Sequence, residues 1–143
     1  MGCVFCEIVI NPQLASIIHA DDIAVAFLDR RPVFKGHVLV VPTTHAPTLI
    51  EIADPGAYFQ RVQLLIQAIE QGLGTDGVFV AINHRVSQSV QHLHTHLIPR
   101  RKGDGLRGFF WPRTRYEDQD EAIQFAESIR HAIPIETDAT AFN

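Results

Sequence analysis

Between Gln88 and Arg100 the chain reads QSVQHLHTHLIPR, with His92, His94 and His96 at every second position. That alternation suits a β-strand, whose side chains point to opposite faces in turn. On a strand running from Val90 to Ile98 and ended by Pro99, the imidazoles share one face, about 7 Å from each to the next. Leu93, Thr95 and Leu97 take the other face and can pack on helices. The segment therefore needs a sheet with an apolar layer behind it.

The rest of the chain supplies such a frame. Ala24 to Leu28 (AVAFL) reads as a short apolar strand, and Pro32 in the following Asp29-Arg30-Arg31-Pro32 opposes its continuation. His37 to Val41 (HVLVV) is a β-branched strand ended by Pro42, with a hairpin-like connection around Phe34-Lys35-Gly36. Asp54-Pro55 offers a side-chain cap and a proline at the first helical position. Phe59, Val62, Leu65, Ile66, Ile69 and Leu73 then recur at helical spacing, and Gly72 and Gly74 end the helix. Val78 to Ile82 is a further strand and Asn83 to Ser89 a loop. Glu117 to Ile133 predicts a C-terminal helix with an acidic start, and Ala122, Ile123, Phe125, Ala126, Ile129 and Ile133 near its inner face. Strands grouped with few crossovers predict an α+β domain: a mainly antiparallel sheet of about five strands, a long central helix and a C-terminal helix, with helices on one side.

At 143 residues the chain fits a single domain, 1–143, and no repeat or low-complexity segment divides it. A net charge of -4 without a basic face argues against a nucleic-acid partner. The one basic stretch, Arg100 to Arg115, could meet a phosphate-rich small molecule. No apolar run reaches membrane-span length and no basic region precedes an apolar core at the N-terminus, so no membrane role and a cytoplasmic location are expected.

Three readings of the histidines stand side by side: a polar surface strand, a metal cluster, and nucleophilic or acid–base chemistry in which one imidazole attacks while its neighbours hold charge. Cys3-Val4-Phe5-Cys6 is half a zinc site on its own, and two free thiols in an N-terminal arm is the plainer alternative. Asp29 could equally be a turn residue.

The whole pattern resembles the histidine triad (HIT) family. Phe27-Leu28-Asp29 with Pro32, then Lys35-Gly36-His37-Val38-Leu39-Val40-Val41-Pro42 and His45, resembles one family block; Asn83 and Gln88-Ser89-Val90 before the triad resemble a second. The likeness runs over about residues 3–102, with 103–143 as a C-terminal extension. Gly105 to Arg113 resembles a bacterial subgroup.

The resemblance implies a nucleotide hydrolase in which His94 attacks the phosphorus beside the nucleoside to give a nucleotidyl-histidine that water resolves. His96 is then the donor to a phosphate oxygen or the leaving group. Asp29 would bind ribose hydroxyls, while Asn83, Gln88, Ser89 and Val90 belong to the phosphate side. Cys3, Cys6, His45 and His92 would form a structural zinc site. The resemblance also implies a homodimer. The substrate would be a dinucleoside polyphosphate or nucleoside phosphoramidate, with a nucleotide-binding regulator of little turnover as the alternative. One departure stands out: the loop Asn83-His84-Arg85-Val86-Ser87 lacks the family's glycines, and Ser87 takes a usual glycine position.

Overall fold

The computed structural model describes residues 2–107 and 113–134. The chain divides into two units, Met1–Gly105 and Leu106–Asn143.

The first unit is built on five strands: β1 (Ile17–Ala20), β2 (Ala24–Leu28), β3 (Val38–Pro42), β4 (Gly77–Ala81) and β5 (Thr95–Arg100). They form one sheet in the order β1-β2-β3-β5-β4, and each neighbouring pair is antiparallel. The expected α+β class holds. Two further elements precede the sheet, helix α1 (Val4–Ile10) and a 3-10 turn at Pro12–Leu14.

Helix α2 (Pro55–Leu73) starts where its signals place it: Asp54 accepts a hydrogen bond from the Ala57 amide at 2.9 Å, and Gly74 ends it in the left-handed region. Its buried residues are Tyr58, Val62, Leu65 and Ile69, which pack with Ala24, Ala26, Val38, Val40, Leu93 and Leu97. The sequence reading puts Phe59 and Leu73 on that face. Phe59 does pack there, half-buried, and Tyr58, which the apolar spacing omits, goes fully inside, because its hydroxyl donates to the Val40 carbonyl at 2.8 Å and meets Thr95 Oγ1 at 2.7 Å. Leu73 stays exposed.

The expectation of helices on one side is corrected by α1. Phe5 and Ile8 pack with Val25, Phe27, Leu39 and Val41, which are the alternate residues of β2 and β3. The sheet is thus covered on both faces. This explains why β2 and β3 are continuous apolar runs, not alternating ones.

The triad strand is shorter than expected. β5 begins at Thr95, so His92 and His94 precede it. Before it, the Leu93 amide bonds the Ala46 carbonyl at 2.7 Å, and the Pro42 carbonyl at the end of β3 is taken by the His92 ring. Those bonds replace a ladder that Pro42, without an N–H, could not extend. The facing of the side chains survives, with Leu93, Thr95 and Leu97 buried toward α2. At the other end β5 runs through Pro99 to Arg100, paired with β4 after its register with β3 has ended at Val38↔Leu97.

Gly36 closes the β2–β3 connection at φ +96°, where a Cβ would stand 2.5 Å from Leu73 Cδ1. Arg101 donates to the carbonyls of Leu73 and Gly74 at the C-terminus of α2, and Arg100 pairs with Asp104. The first arginines of the basic stretch therefore hold the fold together.

In the second unit, α3 (Gln119–His131) is capped by Asp118, which accepts from the Glu121 amide at 2.8 Å. Its expected inner face is not buried: Ile123, Phe125, Ile129 and Ile133 are all exposed, Ile129 at 68%. Phe109, Phe110 and Trp111 lie outside the described residues.

Candidate functional site

On the α1 side of the sheet lies a cavity of about 480 Å³. Val4, Phe5, Ile8, Ala15, Phe27, Leu28 and Leu39 supply its apolar lining, and Ser89, His94 and His96 polar lining. Asp29, Arg30 and Arg31 also line it. Its size is that of a small-molecule site, and its wall is mostly apolar with a few convergent polar groups.

His94 is buried at 4% exposure, and its Nδ1 lies 2.8 Å from the His92 carbonyl. A carbonyl can only accept, so Nδ1 carries the proton and Nε2 keeps its lone pair. The Phe5 ring stands edge-on at 5.1 Å, and His96 lies at the same centroid distance.

A chain of three groups fixes His96. The Val33 amide donates to His37 Nδ1 at 3.1 Å, so neutral His37 carries its proton on Nε2. That Nε2 lies 3.0 Å from His96 Nδ1 and donates to it, which leaves the His96 proton on Nε2. Burial, reinforced by the neighbouring His94 and His37, lowers the His96 pKa to about 4, so it is a neutral donor at pH 7. Burial likewise pushes His37 down, against the opposing pull of Asp29. Sequence reasoning assigned His37 no role. The signal was available: immediately before β3, it continues the alternation of Leu39 and Val41, which face the same side.

Among the described residues, two groups of side chains have metal-ligand chemistry within 4.8 Å: Cys3, Cys6, His45 and His92, and Asp29, His37 and His96. Tautomers separate them. His92 Nε2 donates to the Pro42 carbonyl at 2.9 Å, which turns an unprotonated Nδ1 toward the cysteines. His92 Nδ1 lies 3.5 Å from both sulfurs and 3.2 Å from His45 Nδ1, and Cys6 Sγ lies 3.3 Å from His45 Nδ1. A tetrahedral ion with bonds of about 2.3 Å to sulfur and about 2.0 Å to nitrogen needs N···N near 3.3 Å and N···S near 3.5 Å. These four residues can hold a metal. In the second group His37 Nε2 is already protonated by the Val33 argument, so it is a donor and not a ligand.

Of the expected substrate contacts, Asp29 and Ser89 line the cavity; Asn83, Gln88 and Val90 are not among its lining residues. Asp29 accepts from the Arg31 amide at 2.8 Å and sits 3.8 Å from His37 Nε2. Asn83 is exposed. Gln88 is buried, its amide accepting from the Arg85 N–H and donating to the Pro47 carbonyl. Val90 packs against the Phe5 cluster. The glycine-free loop turns through the left-handed region at Arg85 (φ 66°) and Ser87 (φ 61°). Gln88 fastens that turn from within.

Known proteins share this fold and much of this sequence. A member of the HIT family from Bacillus subtilis, solved by crystallography, superposes with a TM-score of 0.83 at 32% identity, covering 94% of this chain and 99% of that one. A zinc-bound histidine triad protein from Mycobacterium smegmatis gives 0.68 at 34% identity, covering 90% and 98%. An adenosine 5'-monophosphoramidase of Schizosaccharomyces pombe is 32% identical over 78% of this chain and 84% of its own. The HIT domain model matches residues 12–103, and with the triad, its cavity and the fold in agreement, the chain belongs to the histidine triad family.

Proposed function

We propose that the protein hydrolyses nucleoside phosphates, of the dinucleoside polyphosphate or nucleoside phosphoramidate type, through a nucleotidyl-histidine on His94. One observation carries this reading: a histidine whose Nδ1 is pinned by a backbone carbonyl, leaving Nε2 with its lone pair, lines a cavity of nucleotide size.

In the first step His94 Nε2 attacks the α-phosphorus. A P–N bond to the ring forms as the bond to the leaving group breaks, and the leaving group departs with the electron pair. His96 Nε2–H donates to a phosphoryl oxygen or to the leaving atom. Water then attacks the same phosphorus, the P–N bond breaks with its electron pair returning to His94 Nε2, nucleoside monophosphate leaves, and the proton that the water sheds passes to solvent. Splitting the transfer this way lowers each barrier.

The apolar lining of the cavity suits a nucleobase, with purines the expected class. Asp29 would accept from ribose hydroxyls, and Ser89 with the loop backbone would cradle the α-phosphate. Asn83, Gln88 and Val90 would act on the phosphate side, Gln88 and Val90 by shaping the loop. The monophosphoramidase relative supports the phosphoramidate class.

Zinc is the metal that best fits two thiolates and two imidazoles in a tetrahedral set. Its chemistry there is structural, tying the N-terminus to the segment that carries His92 and His94. A homodimer and a cytoplasmic location complete the proposal. The exposed apolar face of α3 supports the dimer. Within the described residues no helix is long and apolar enough to cross a membrane.

A panel of dinucleoside polyphosphates and adenosine phosphoramidates tests the reading. Wild type should release AMP, and His94→Ala should lose at least about 10³-fold in rate while still binding AMP. Turnover that survives in His94→Ala, or wild-type protein that binds AMP and never turns over, contradicts it. The second outcome would leave a nucleotide-binding regulator.

A further inference from the structure

The geometry points to Phe5 as a positioning residue that couples the metal centre to the substrate cavity, so that metal and nucleotide each tighten the binding of the other. The inference rests on the nucleotide reading of the cavity and on metal occupancy of the Cys3, Cys6, His45 and His92 group.

Two of those four ligands bracket Phe5 in the chain. Cys3 is the N-cap residue of α1 and Cys6 lies in its first turn. The same short helix supplies Val4, Phe5 and Ile8 to the cavity wall. The Phe5 ring stands 6.0 Å from the ring of the ligand His92, 5.1 Å from His94 and 5.5 Å from Phe27. It therefore stands against one prospective metal ligand, the attacking histidine and the apolar lining of the cavity at once.

Helix α1 has little stability of its own. It spans seven residues, and Cys3 makes no side-chain cap bond. Isolated helices below about 12 residues are marginal in water. Its position depends on the burial of Phe5 and Ile8 and on whatever holds the two sulfurs. Cys3, Cys6, His45 and His92 bring their ligand atoms within 4.8 Å of one another, so an ion there would tie the start of α1 to the segment that carries His92. Release of the metal frees the start of α1, withdraws Phe5 from His94 and opens the apolar wall. A nucleotide that packs against Phe5 pulls the other way. Linkage makes the two effects equal in size.

The test uses the full chain, with AMP as the nucleotide probe and zinc as the metal. Zinc transfer to a chromophoric chelator is followed with and without AMP, and AMP affinity is measured by calorimetry on loaded and chelated protein. We expect AMP to tighten zinc binding by about tenfold and chelation to weaken AMP by the same factor. In Phe5→Leu, and in Phe5→Ala where it folds, both effects should shrink to within about twofold. Hydrolysis by loaded Phe5→Leu should show a raised KM and a lowered kcat, since the ring serves both the cavity and His94. Unchanged zinc transfer in the presence of AMP overturns the inference. So does coupling that persists in Phe5→Leu, since coupling carried by global folding needs no particular ring. Failure of AMP to bind loaded protein would instead remove the nucleotide reading itself.

Discussion

At the scale of single residues, the site is a set of decisions about where protons sit. Three backbone groups make them: the His92 carbonyl for His94, the Pro42 carbonyl for His92, and the Val33 amide for His37 and so for His96. Each imidazole is thereby given one task. His37→Ala would release His96 from its tautomer. Its expected effect is a fall in kcat of about 10²-fold with little change in AMP affinity, in the range general acid–base groups contribute. The buried neutral imidazoles also set the response to acid. His96 titrates at about 4 when folded against 6.5 as its ordinary value, and His37 is lowered too. A lowered folded value means that the unfolded chain takes up protons first as the pH falls. The contribution of these groups to stability is complete above pH 6.5 and is lost as pH falls toward 4. Urea midpoints measured across that window should decline for wild type and decline less for His96→Asn.

The elements show what the sequence made legible and what it hid. Helix α2 was readable because its start, period and stop are local signals: Asp54-Pro55, the apolar spacing and Gly74. The sheet was readable from AVAFL and HVLVV. Helix α1 was hidden because seven residues carry barely two turns of pattern, and its N-cap is a cysteine without a cap bond. The start of β5 was hidden for another reason. The alternation continues through His92 and His94, but hydrogen bonds to Ala46 and Pro42 replace the ladder there, and no local propensity reports that. The group of Cys3, Cys6, His45 and His92 was legible as a resemblance; the His92 tautomer that turns a free Nδ1 toward the cysteines was not. The loop before the triad supplies a test at this scale. Ser87 sits at φ 61°, in the left-handed region that glycine adopts freely, which costs about 1–2 kcal/mol for an L-residue. Glycine's extra unfolded entropy returns about 0.5–1 kcal/mol of that. Ser87→Gly should therefore raise stability by about 0.5–1 kcal/mol in urea titration. A loss of stability would show that the Ser87 side chain, not the backbone, holds the turn. At Gly36 the opposite is expected: Gly36→Ala drives a Cβ to 2.5 Å from Leu73 Cδ1 and should cost about 1–3 kcal/mol.

For the whole molecule, the second unit carries a testable surface. Helix α3 exposes Ile123, Phe125 and Ile129, and Ile133 just beyond its end is exposed as well. On the proposed homodimer reading, a second copy covers that apolar face. Light scattering should give twice the chain mass, and Ile129→Glu should shift it toward the monomer. The central claim sits at the same scale, because cavity, strand and N-terminal helix all converge on His94. It is tested most directly by rapid acid quench of wild-type protein with an adenosine phosphoramidate, followed by intact mass and peptide mapping. The account predicts one adenylyl group on the peptide that carries His94, appearing before AMP is released and absent from His94→Asn. An actively hydrolysing protein that never carries the group, or carries it on another residue, would contradict it.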